Sequence, residues 1–327
     1  MVSIPKLFLT VVIGFGLCHF SAAEGDAKIS APETEMVDLA AEIGSYVRER
    51  KPDFLLIGNG AVGLLEVTED NVEENVARLI RVLDGFFMES RFYGGRVNGA
   101  KARRNNRATD EFLTAMLEKA LRAERQVFTL DYVKGKKIHT VQEMGAAAGY
   151  VSDGGDTALD VIPDRRPMNE NTNDVTQLRQ AKNFLVLLNP EHYKTRESYI
   201  KALSETNYDL LIVDLCYDGH VLLPVETERL KHKANGGKRL LLSYMSIGEA
   251  EHYRPYWKTS WDDVRPHWLA EPNPAWEGND KVRYWAQEWK AILYGSPDAY
   301  LDKIMATGFD GAFLDVMDAW QYFKEEQ

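Results

Sequence analysis

Residues 53–67 read DFLLIGNGAVGLLEV, and whether their glycines cradle a cofactor decides between an open dinucleotide-binding sheet and another β/α fold. Gly58, Gly60 and Gly63 keep the G-x-G-x-x-G spacing in which a strand passes into a helix whose N-terminus holds a pyrophosphate. The apolar run Phe54–Ile57 predicts the strand. The helix is missing: LLEV follows the third glycine, and the next helical period starts near Asp70. Asp84, the one acid at a suitable distance, precedes a strand instead of following it. A fingerprint without its context predicts no dinucleotide, and no other cofactor is expected.

Working outward, short apolar runs alternate with helical periods along the whole chain. Met36, Ala40, Ile43 and Val47 form one stripe, Val72, Val76, Leu79, Ile80 and Leu83 a second, and Phe112, Leu113, Met116, Ala120 and Leu121 a third. Eight runs read as buried strands: FLLIG, GFFME, VFTLD, GYVSD, FLVLLN, LLIVDL, RLLLSYM and GAFLD, with KVRYW at 281–285 as a competitor. Continuous apolar runs mark parallel strands covered on both faces. Eight of them with intervening helices predict a (β/α)8 TIM barrel, with an open doubly wound sheet as the alternative. The last helix is expected to have Ser296 as N-cap, Pro297 at its first position and Gly308 just past its end. No Pro/Gly/Ser-rich linker divides the chain, so residues 24–327 read as one domain.

The first 23 residues have the layout of a cleaved secretory signal: Lys6, an apolar core from Leu7 to Leu17, then Ser21 and Ala23 before the cut. This predicts a secreted or periplasmic protein with no membrane span after cleavage. Cys18 would leave with the signal, so Cys216 remains alone and no internal disulfide forms. A formal charge of −11 without a basic stripe argues against nucleic acid as partner. Nothing in the sequence speaks to the oligomeric state.

In a barrel the chemistry stands at the C-terminal ends of the strands. Those ends carry Asn59, Glu89, Asp131, Asp153, Asn189, Asp214, Glu249 with Glu251, and Asp315 with Asp318. A ring of acids suits a metal or acid/base work on a polyol. The seven histidines form no H-x-x-x-H or H-E-x-x-H pattern, so no metal site is expected, with carboxylate-bound Ca2+ left open. No G-x-S-x-G elbow is present. Paired carboxylates remain, the apparatus of glycoside hydrolysis. Six of the seven tryptophans fall between Trp257 and Trp289. Most would fill a loop-covered core, while one or two, Trp285 among them, would stack on a sugar ring at the mouth.

Longer motifs carry a resemblance. NGGKRLLLSYMSIGEAEHYRPYW, WLAEPNPAWEGNDKVRYW and YLDKIMATGFDGAFLDVMDAW, with NFLVLLNP and TNYDLLIVDL, closely resemble the exported endo-α-1,4-polygalactosaminidases of glycoside hydrolase family 114. In many relatives, strands like FLLIGNG and GFFMESRFYG follow the GFDGAFLD strand, whereas here they precede it, which implies a circularly permuted barrel. The resemblance implies Asp315 as nucleophile and Glu89 as acid/base, although relatives more often show Glu-Asp where this chain has Glu89 and Ser90. It implies cleavage of an α-1,4-linked galactosamine-containing polysaccharide, with retention, and acids able to pair with the sugar's ammonium. Asn59, Asp131, Asp214, Tyr244, Glu249, Glu251 and Trp285 are the candidate substrate contacts. The glycines of 58–63 would turn the chain over the mouth so that Asn59 reaches a hydroxyl. A glycan-binding barrel without turnover is the competing expectation.

Overall fold

The computed structural model describes residues 31–94 and 102–325, so the signal expected over residues 1–23 lies outside the described residues. Each of the eight runs forms a strand: β1 Leu55–Asn59, β2 Gly85–Glu89, β3 Gln126–Asp131, β4 Val151–Gly154, β5 Phe184–Leu187, β6 Leu210–Val213, β7 Leu240–Ser246 and β8 Gly311–Asp315. They pair in parallel in ring order, and β1 lies between β2 and β8, with Ile57 opposite Phe313 on one side and Gly85 on the other. This is the near-closed (β/α)8 barrel the sequence predicts, with its first and last strands side by side. KVRYW instead contributes to Asn279–Val282, the middle strand of a small antiparallel sheet with Glu249–Glu251 and Leu269–Pro272.

Among the described residues no ladder joins β4 to β5. The stretch 158–165 hems that seam. Leu159 O accepts from the amides of Leu188 and Asn189, Asn189 Nδ2 donates to Ala158 O, and Arg165 reaches the Asp153 carboxylate and Gly154 O. Loop backbone and side chains together do there what strand pairing does elsewhere.

Period-two alternation sends every second strand residue into the lumen. Ile57, Phe87, Phe128, Phe184, Leu242 and Phe313 fill it, with Phe87 edge-on to Phe184 at 5.4 Å and to Phe313 at 5.0 Å. Outside, α1 (Pro32–Arg50), α2 (Glu73–Val82), α3 (Arg107–Arg122), α4 (Lys136–Ala148), α5 (Arg196–Ser204) and α6 (Pro224–Leu230) cover the sheet. Met36, Ala40, Ile43 and Val47 are fully buried, as their spacing predicts, whereas Val72 and Phe112 mark the exposed edges of their stripes. Arg239 is buried at the base of β7. Its guanidinium donates to the carbonyls of Leu203, Thr206, Leu230 and His232, satisfying orphan acceptors at the ends of α5 and α6.

Two local expectations change. The helix read from Ser296 begins at Tyr300: Ala299 N bonds Ser296 O in a turn, and Asp302 accepts from Gly295 N and the Tyr46 hydroxyl, which holds the 295–299 segment out of the helix. Gly308 ends it in the left-handed region as expected, but it is not the last helix, since Trp320–Glu325 follows. In the glycine stretch a 3-10 turn, Ala61–Leu65, starts directly after Gly60. Only Gly60 has positive φ. Gly58 is required for close approach instead: a Cβ there would lie 2.7 Å from Leu83 Cδ1 and from Met317 Sδ.

Candidate active site

Asn59, Glu89 and Asp315 each stand two residues beyond a lumen-filling side chain, Ile57, Phe87 and Phe313, so all three point into the barrel one layer above the aromatic plug. Adjacent strands bring them together. The Asn59 Nδ2 donates to Glu89 Oε1 at 2.9 Å and to Asp315 Oδ1 at 2.7 Å. Two bonds ending on one nitrogen hold those oxygens no more than about 5.6 Å apart, an upper limit compatible with the roughly 5–5.5 Å of a retaining glycosidase pair. Asn59 therefore spends both amide hydrogens on the carboxylates. The structure makes Asn59 the brace between the two acids, and its Oδ1, buried and without a hydrogen-bond partner among the described residues, stays available for the sugar hydroxyl the sequence assigned to it.

All three side chains are buried. Burial, then the neighbouring Asp315 charge, push the Glu89 carboxyl up to about 8, against the pull of hydrogen bonds from Tyr132 and Asn59. Burial also raises Asp315, to about 6, with hydrogen bonds from Asn59, the Val316 backbone and Tyr244 holding it lower. The pair is thus split: near neutrality Asp315 is the ionised member and Glu89 the protonated one. Two carboxyls pushed apart in this way are suited to the separate roles of nucleophile and acid.

Most of the other expected contacts are engaged with the protein itself. Asp131 accepts the backbone amides of Phe92 and Tyr93 at 2.8 and 2.7 Å, anchoring the loop after β2. Asp214 receives two bonds from Arg254 Nη1, and Glu251 receives Arg254 Nε at 2.5 Å. Glu249 accepts from Asn273 and Asn279 and faces Lys281. Glu249 and Glu251 sit on the short antiparallel strand, not on the end of β7. The acids expected to meet an ammonium are therefore largely neutralised internally. Tyr244 bonds both Glu251 and Asp315. Trp285 packs edge-on against Phe323 at 4.8 Å and Tyr284 at 5.0 Å, beside the C-terminal helix; none of these contacts is with the acid pair.

Sequence reasoning missed two residues. Arg254 lies in the EHYRPYW motif but was not singled out, because no local spacing shows that it reaches Asp214. Tyr132 follows Asp131 at the end of β3, and its hydroxyl donates to Glu89 Oε2 at 2.6 Å. That bond favours the charged carboxylate, so Tyr132→Phe is expected to raise Glu89 further, move the alkaline limb of the pH–rate profile upward and lower kcat roughly tenfold or more. Steady-state rates across pH check both effects.

Comparison with known proteins meets this geometry in the second half of the chain. Residues 166–327 match the model of glycoside-hydrolase family GH114. An uncharacterized protein of Methanocaldococcus jannaschii is 36% identical over 155 residues, 47% of this chain and 43% of the relative. Another from Thermotoga maritima is 37% identical over 134 residues, 41% of this chain and 40% of the relative. A third, from Deinococcus radiodurans, is 36% identical over 125 residues, 38% of each. The chain thus spans less than half the length of each of these curated relatives. With an eight-stranded parallel barrel, a braced carboxylate pair at its mouth and the family match running through β8 and Asp315, the chain belongs to glycoside-hydrolase family GH114.

Proposed function

We propose that this protein is an exported glycoside hydrolase that cleaves an α-1,4-linked galactosamine-containing polysaccharide with retention of configuration. The observation that carries the reading is the Asn59 amide bonded at once to Glu89 and Asp315. Asp315 attacks the anomeric carbon while the Glu89 proton passes to the glycosidic oxygen, which leaves with its sugar. Glu89, now a base, takes a proton from water; the water oxygen bonds to the anomeric carbon and Asp315 departs. The amino sugar is supported by the family resemblance of the β7 and β8 motifs. A circularly permuted order is supported by the family match starting only at residue 166, and ring closure, which seats β1 beside β8 wherever the chain breaks, allows it.

The test is release of reducing ends from a partly deacetylated α-1,4-galactosamine polymer by the exported chain, whose N-terminus on sequencing is expected to be Glu24. Activity requires Asp315 ionised and Glu89 protonated. The rate is expected to rise through about pH 6 and fall through about pH 8, as macroscopic values of the coupled pair. Binding of the polymer without hydrolysis would replace the hydrolase by a glycan-binding barrel. Neither binding nor hydrolysis would remove the substrate.

A further inference from the structure

Beyond the pair stands a third carboxylate. Asp318 lies in the 3-10 turn Met317–Ala319, entered from β8 through Val316 at a left-handed φ of 61°. The turn folds Asp318 back onto the exit of β1: a Cβ on Gly60 would lie 2.9 Å from both Asp318 N and Asp318 Oδ1. Only a glycine lets the carboxylate approach so closely beside Asn59. Gly60, Met88, Glu89, Ser90, Asp318 and Gln321 line one pocket of about 70 Å³. Asp318 and Glu89 thus border the same small space. Among the described residues, no other side chain gives Asp318 a hydrogen bond or ion pair.

We infer that Asp318 is a positioning residue for the acid: its charge, held against the exit of β1 and open to the pocket it shares with Glu89, keeps the proton on Glu89. The inference rests on the reading of Glu89 as the acid. The other groups around Glu89 are Asn59 from β1, Tyr132 just past β3 with Asp131 behind it, and Asp315 from β8. Around Asp318 stand Asp315, Glu249 and Lys281. Burial and these acids hold Asp318 itself at about 7, so its charge develops in the range where Glu89 must still be protonated.

The experiment is a carbon-13 NMR titration of the glutamate carboxyl carbons, with Glu89→Gln assigning the Glu89 signal. Asp318→Asn is expected to lower the Glu89 midpoint by about half a unit or more, because a like charge that disfavours ionisation has gone. An unchanged or raised midpoint overturns the inference. Asp318→Ser carries the same test if the asparagine variant does not fold, and failure of both to fold would overturn it by making the residue purely structural. On the polymer, the alkaline limb of kcat/KM should move by the same amount with KM unchanged. A parent protein that fails to cleave the polymer would sink the galactosamine reading and leave the titration result standing.

Discussion

Asp315→Asn is expected to lower kcat by on the order of 10⁴ or more, the scale on which removal of a covalent nucleophile is felt. The substitution keeps the volume and the hydrogen bond available to Asn59, so the barrel should remain folded and polymer binding should survive. Glu89→Gln is expected to cost less, about 10² to 10⁴, because it removes proton transfer and leaves the attacking carboxylate in place. A leaving group that needs no protonation should therefore restore much of the glycosylation rate to Glu89→Gln and none to Asp315→Asn. Measured kcat on polymer and on an activated aryl glycoside separates the two roles. Equal and small losses in both variants would refute the pair. The two effects should not add, since both residues act in one step and share Asn59.

Stability should respond most to Arg254. Its guanidinium is buried, holds Asp214 through bonds of 2.8 and 2.6 Å and Glu251 through one of 2.5 Å, and lies about 5 Å from the rings of Tyr244, Tyr253 and Tyr300. Arg254→Met would leave two buried carboxylates without their cation, which costs about 3–5 kcal/mol and on the order of 10 °C in Tm. Asp214, which burial already pushes up against the pull of Arg254, would then hold its proton to higher pH than in the unfolded chain. The loss should accordingly shrink as pH falls and the acids are neutralised, and grow as pH rises. Thermal melts of Arg254→Met at about pH 5 and about pH 8 check the sign. Arg254→Lys should fall between, because a point charge cannot serve both acids as a planar fork does. A melt unchanged at both pH values would show that the triad contributes nothing.

The barrel was legible because its strands are covered on both faces and so read as unbroken apolar runs; even the short β4 was found from GYVSD. Glu89 and Asp315 were legible only as strand-end acids, and the family resemblance paired them; period two and ring order give the reason they meet. Period two places the residue after Phe87-Met88 and the residue after Phe313-Leu314 on the lumen side, and ring order makes β8 a neighbour of β1. What was illegible is what depends on pairing across long separations. Asp214 and Arg254 are 40 positions apart, and nothing local announces that the acid is already spoken for. That Asn59 also braces two acids was hidden because both partners lie on other strands. The helix start at Ser296 had the right residue types, but Asp302 competes for the turn through Gly295 and Tyr46.

The brace between Asn59 and Asp315 joins residues 256 positions apart in the chain. During synthesis from the N-terminus, Glu89 and Asn59 emerge early, while the attacking carboxylate arrives only with β8. Contacts of such long range are slow to form, because chain entropy must be lost before they are made. On the proposed mechanism the nascent polypeptide would therefore stay chemically inert through most of its synthesis, and the power to cut glycan would appear only with ring closure. In such a chain, activity measures completeness of folding: any species that lacks a seated final strand holds an acid with nothing to help.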